Sequence, residues 1–162
     1  MKKFWMILLA AALLVAMFGC TAPQEKDGQT AFYYKRAKIS YGEENGVITA
    51  EYRSPDTTEG VLSVLNVYVD GPKLTELANV FPLGCEVLEF TLNEKVATVH
   101  FNKVFGQLQG VARTLACVCM SRTVMELTGA ETVRISIEQT DLDGAEYLEF
   151  DANGVMYFDS SN

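Results

Sequence analysis

Residues 107–128 read QLQGVARTLACVCMSRTVMELT, and the rest of the hydrophobic pattern is arranged around them. Val111, Leu115, Val118 and Met125 recur at helical spacing, with Leu108, Ala112, Leu115 and Cys119 in a second row beside them. Residues 115–120 (LACVCM) carry no charge, so the spacing predicts a helix buried over most of its circumference. Gly129 follows as a helix stop. Residues 131–138 (ETVRISIE) then alternate Val133, Ile135 and Ile137 against Thr132, Arg134 and Ser136, the pattern of a half-buried strand.

The flanking chain divides into short elements. Residues 31–40 (AFYYKRAKIS) and 47–52 (VITAEY) lie either side of an Asn-Gly turn at Asn45-Gly46 and predict a hairpin. Asp56, with Glu59 three residues on, has the capping-box pattern and predicts a helix start. In residues 60–69 the polar Ser63 and Asn66 are three apart, which favours helix despite four valines, and Gly71-Pro72 ends it. Residues 73–80 read as a turn or short helix. Residues 86–92 and 95–101 form the clearest hairpin. In it Leu88, Phe90 and Leu92 share one face, as do Ala97, Val99 and Phe101, and His100 falls on the outer face. A terminal hairpin is expected from residues 145–150, a turn at 151–154 (DANG) and residues 155–158. Two helices that both need cover, among about seven strands, define the fold class as α+β. The expectation is one domain, with a mixed or antiparallel sheet, two helices packed on it and hairpins at both ends.

Residues 1–20 (MKKFWMILLAAALLVAMFGC) change the picture of where this domain works. Lys2 and Lys3 precede an uncharged run of 15 residues, Phe4 to Phe18, which Gly19-Cys20 closes. The run is short for a membrane span and has the form of a secretory leader. A small residue directly before Cys20 resembles the lipobox of bacterial lipoproteins, although Met17 and Phe18 stand where Leu and a small residue are usual. That resemblance implies a diacylglyceryl group on the Cys20 thiol and cleavage before it. The expected organisation is a signal peptide at 1–20, a flexible tether at 21–30 and the domain at 31–158. The membrane is then a partner through the lipid anchor, and the location is the outer face of the cytoplasmic membrane. The 162 residues carry 13 basic and 21 acidic groups, a net charge of -8. Removing Lys2 and Lys3 with the leader makes it -10. So acidic a domain repels nucleic acid.

Several short pieces follow one another in the middle of the chain. They are a helix ending in Gly71-Pro72, Phe81-Pro82-Leu83-Gly84 leading into residues 87–91, and residues 96–102 (VATVHFN). Thr123-Val124 near the end of the long helix, Gly129 and Val133-Arg134-Ile135 complete the series. In order and spacing, from about Gly60 to Glu138, they resemble the GerM domain, the sporulation and spore-germination domain of Gram-positive lipoproteins. This chain departs from it at His100, where Asp is common, and at Thr128, where Pro is common. The resemblance implies a helix-and-sheet fold similar to ring-building motifs, used for protein assembly outside the membrane and without catalysis. Other envelope proteins, or further copies of the chain, are the partners it implies.

The inventory of reactive side chains agrees with a non-enzymatic reading. With His100 the single histidine, neither a histidine-based triad nor a multi-histidine zinc site can be assembled. Cys117 and Cys119 stand about 200° apart around a helix, so their thiols do not meet. With Cys85 they read as core-filling thiols, a disulfide from Cys85 to one of them being the alternative in an oxidising compartment. No cofactor and no catalytic residue is expected. A second reading, a small-ligand or calcium-binding module, rests on Asp141, Asp143 and Glu146 as metal candidates. Their spacing lacks the third ligand and the glutamate at loop position twelve. Phe32, Tyr33 and Tyr34 are expected to divide between core and contact surface.

Overall fold

The computed structural model describes residues 28–39, 46–139 and 145–153. Strands β1 (Thr30–Arg36) and β2 (Ile48–Arg53) form the N-terminal hairpin, so Thr30, placed in the tether by composition, already belongs to the sheet. Helix α1 (Val61–Val69) and the two-residue strand β3 (Leu77–Ala78) follow. Next come β4 (Val87–Asn93), β5 (Val96–Phe101), a single 3-10 turn (Phe105–Gln107), α2 (Gly110–Thr128), β6 (Thr132–Ile137) and β7 (Leu148–Asp151). The α+β architecture is as expected, with the strands divided between two sheets. One has the order β2-β1-β3 and the other β4-β5-β6-β7. All neighbours are antiparallel except β5 and β6, which α2 connects in parallel.

The long helix ends where the sequence stops it. Gly129 takes a left-handed conformation, φ 71°, and donates its N–H to the Met125 carbonyl at 2.8 Å. Residues Ala116 to Thr123 include seven that are buried, and Val124 extends the run. The first turn does not follow the periodicity, since Val111 is 73% exposed and Ala112 is also exposed. Helix α1 starts later than the capping box implies. Its N-cap is Gly60, φ 88°, without a side-chain cap. Asp56 instead accepts hydrogen bonds from the backbone and hydroxyl of Thr58, at 3.0 and 2.6 Å, which is a local turn. Residues 73–80, read as a turn or short helix, contribute β3, which pairs with Lys35 and Arg36.

One core joins the two sheets, and aromatic rings run through its middle. Phe32 and Tyr34 on β1 meet Tyr68 of α1 at centroid distances of 5.7 and 4.9 Å. Tyr68 meets Phe81 edge-on at 5.2 Å, and Phe101 stacks on Phe105 at 4.2 Å beside Phe81. The helices also satisfy strand backbone that lacks a neighbour. Because β3 covers only the end of β1, the Tyr33 N–H donates to Thr123 Oγ1 of α2 at 3.0 Å, and Tyr68 Oη donates to the Tyr33 carbonyl. This explains a fully buried threonine on an apolar helix.

Strand β4 departs from simple alternation. A bulge lies between Val87 and Glu89, so Val87, opposite Phe101, takes the core position and Leu88 leaves the apolar face. Phe90 and Leu92 still oppose Val99 and Ala97, but at a sheet edge; Leu88 and Leu92 are 43% and 44% exposed. Asn66 of α1 holds this edge: its Nδ2 donates to the Val87 carbonyl at 3.0 Å, and Val87 N–H donates to Asn66 Oδ1 at 2.9 Å. At the C-terminal end, β7 pairs with β6. Gly154 and residues 155–158, the other half of the terminal hairpin, lie outside the described residues, and Ala152 and Asn153 take helical backbone where a turn is expected.

Candidate functional site

The clearest polar constellation is a pair of charges on β2. The register sets Glu51 opposite Phe32 and Arg53 opposite Thr30, so both point to the face of the hairpin that α1 covers. Their side chains are only 5% and 11% exposed, and they are ion-paired. Each is also tied to the turn that leaves α1. Glu51 accepts from the Lys73 N–H with both carboxylate oxygens at 3.2 Å, and Arg53 Nη2 donates to the Gly71 carbonyl at 3.0 Å. The Arg53 guanidinium lies 5.4 and 5.3 Å from the ring centres of Phe32 and Tyr34. Removing either partner strands a charge in a poorly solvated place. Beside this pair a cleft of about 410 Å³ opens between β2, residues 54–59 and α1, with Phe32 and Val64 as its apolar wall and Lys73 at its rim.

A second cleft of about 480 Å³ lies over the β1–β3 edge, where Arg36, Lys38 and Glu76 meet Leu74 and Leu77. On the outer face of the larger sheet, His100 Nδ1 is hydrogen-bonded to Ser136 Oγ at 2.9 Å, with Glu89 opposite His100 in the ladder. His100 therefore sits on the outer face, as alternation requires, in a shallow depression with Thr91 and Thr98. Further along that face, Arg134 lies 4.8 Å from the Tyr147 ring and donates to Glu149 at 2.7 Å. These arrangements bind and position surface groups; none sets a nucleophile against a base and an anion-stabilising pocket.

The sequence-derived candidates are dispersed. Cys20, Asp141 and Asp143 lie outside the described residues, and Glu146 is exposed just before β7. Among the described residues no three His, Cys, Asp or Glu side chains are grouped to hold a metal ion. Cys85, Cys117 and Cys119 are all free and buried, so the Cys85 disulfide does not form. Burial pushes each thiol up to about 12 from its ordinary 9.0, the opposite of a reactive cysteine. Phe32 and Tyr34 enter the core. Tyr33 is half-buried beneath Arg122, 4.8 Å from its ring, with its hydroxyl 3.3 Å from Glu126; burial raises that phenol to about 12. The Glu51–Arg53 pair is absent from the sequence reading, because charges at alternate strand positions have the pattern of a solvated face.

Fold and site together define a small helix-and-sheet module whose notable features are open sheet edges and shallow surface clefts. The chain belongs to the Germane family, described as "Sporulation and spore germination", whose model matches residues 31–143. Its fold is similar to the first GerMN domain of the sporulation protein GerM from Bacillus subtilis. The TM-score is 0.56 at 15% identity, over 76% of this chain and 95% of that one. The tandem GerMN domains of the same protein match with a TM-score of 0.54 at 16% identity, over 74% of this chain. This chain spans 43% of that tandem structure. No curated protein matches in sequence. Among the described residues, no helix is long and apolar enough to cross a membrane.

Proposed function

We propose that this sporulation- and germination-associated domain is a non-catalytic assembly module, held by a lipid on Cys20 at the outer face of the cytoplasmic membrane. The family match over residues 31–143 carries the reading. The lipobox-like end of the leader and the acidic balance of the rest support the location, and the single histidine, engaged with Ser136 on a shallow face, supports the lack of chemistry. A tether confines the domain to a thin layer and raises its effective concentration for partners anchored beside it. Co-purification from native envelope, with gel filtration of the full chain in detergent, tests this. The expected result is a specific envelope partner or a self-associated species; a strict monomer with no partner in either would overturn it.

A second reading is a small-ligand or cation binder: the cleft beside Arg53 favours the small-ligand form, and Asp141, Asp143 and Glu146 are the candidates for the cation form. Calcium at one hundred times its dissociation constant would add about 2.7 kcal/mol to stability, so thermal melting with calcium decides it. An unchanged melt removes the calcium form.

A further inference from the structure

Strand β4 has seven residues and lies at the edge of its sheet. Which of its backbone groups are free follows from the turn that precedes β5. Glu94, φ 54°, and Lys95 form a two-residue hairpin turn, so Asn93 and Val96 are the hydrogen-bonded closing pair. Alternation then makes Thr91 and Glu89 hydrogen-bonded to β5 and turns the N–H and C=O of Phe90 and Leu92 away from it. Two independent bonds agree with this phase. The Asn102 N–H donates to the Glu86 carbonyl, and the outward groups of Val87 are both taken by the Asn66 amide. The protein thus fills one slot of the edge with its own side chain and leaves the next two open.

Edges of this kind are ordinarily blunted by Lys, Pro, brevity, a bulge or a covering element, and here the bulge and Asn66 protect the end at Val87. Residues 87–93 contain neither Lys nor Pro, and Glu89 is their one charge. We propose that this edge pairs with the same edge of a second copy, antiparallel, about a two-fold axis through Thr91. This deepens the assembly reading above and rests on it. In that register Phe90 of each copy faces Leu92 of the other, so the open groups of both residues are satisfied by four hydrogen bonds. The two half-covered apolar side chains meet across the seam. Thr91 faces Thr91, Glu89 faces Asn93, and Leu88 faces Glu94, so no like charges stand directly opposite. Centring the pair on Phe90 instead would set Leu92 against the bulge at Leu88 and Glu86 against Glu94. Self-complementarity selects the register, and with it the occupant.

The two-fold axis supplies the test. Thr91 would face its own copy in a non-hydrogen-bonded pair, where α-carbons are about 4.5 Å apart, within disulfide range. The full chain carrying Thr91→Cys is oxidised mildly in detergent. It is compared with the unsubstituted chain, which reports any background from Cys20, and with Glu89→Cys, which in this register faces Asn93 and not itself. The expected result is a covalent dimer from Thr91→Cys alone, reduced at least tenfold when Leu92→Lys is added. Leu92 is exposed enough for that change to leave the fold intact, which circular dichroism checks. Crosslinking of Thr91→Cys at background level, or of Glu89→Cys to the same extent, overturns the proposal. If gel filtration of the same samples still shows a dimer, self-association uses another surface and the assembly reading stands. A monomer that also finds no envelope partner removes both.

Discussion

Asn66 provides the sharpest test of how α1 is fixed to the larger sheet. Its amide makes two hydrogen bonds, at 2.9 and 3.0 Å, to the one residue of β4 that the bulge moves into the core. Asn66→Ala leaves the N–H and carbonyl of Val87 without partners at a part-buried edge. Each net hydrogen bond is worth about 1 kcal/mol, with a further desolvation cost where water cannot replace it. Alanine's better helix propensity offsets this by about half a kcal/mol. A loss of about 2 kcal/mol is expected, or a melting temperature lower by roughly 6–10 °C for a domain of this size. Asn66→Asp keeps the acceptor but turns a carboxylate toward the Val87 carbonyl. That contact disfavours the charged form, so the folded-state pKa lies above the unfolded value of about 3.9. Its stabilising contribution is then present below that pH and is lost as pH rises through the folded value. Urea melts at pH 7 and pH 4 measure both variants against the parent. The Asp variant should be the weaker at pH 7 and draw closer to the parent at pH 4. An Ala variant within about 0.5 kcal/mol of the parent would refute the clasp.

Three further outcomes follow from the same packing. Glu51→Gln should cost about 3–5 kcal/mol, because it leaves Arg53 without its counter-charge beside Phe32 and Tyr34; equilibrium unfolding measures it, and a loss below about 1 kcal/mol would show that the pair is effectively solvated. Ser121 Oγ is fully buried on α2 without a hydrogen-bond partner among the described residues, so Ser121→Ala should leave the unfolding free energy unchanged or raise it by up to about 1 kcal/mol. Unfolded thiols ionise near 9.0, whereas burial holds Cys85, Cys117 and Cys119 protonated to about 12. Their contribution is therefore complete below pH 9 and declines above it, by at most about 1.4 kcal/mol per pH unit for each thiol. Tyr33, also raised to about 12, adds to the decline above pH 10. Denaturant melts that are flat from pH 8 to 10.5 would contradict this.

What could be read from the chain was whatever depended on uninterrupted periodicity. The buried middle of α2, its Gly129 stop and the alternation of β6 all follow from side-chain spacing, and all stand in the structure. Two features escaped because one residue or one local bond overrode the period, and a third because of its length. The bulge at Val87 shifted Leu88 off its face, and the Asp56–Thr58 turn used the carboxylate that a capping box needs. Strand β3 is two residues long, too short to show alternation. The Glu51–Arg53 pair escaped for a different reason. Its partners are backbone groups of Gly71 and Lys73, about twenty residues away, and sequence spacing carries no trace of them. The edge of β4 was half legible: the alternating apolar residues were visible, but the loss of a neighbour on one side is a property of sheet order.

Everything proposed for this chain turns on where it works, and the intact mass of the native protein recovered from its host's membranes tests that most directly. The account predicts a chain beginning at Cys20 and carrying a diacylglyceryl group. A chain that retains residues 1–19, or an unlipidated form found in the cytosol, would contradict it.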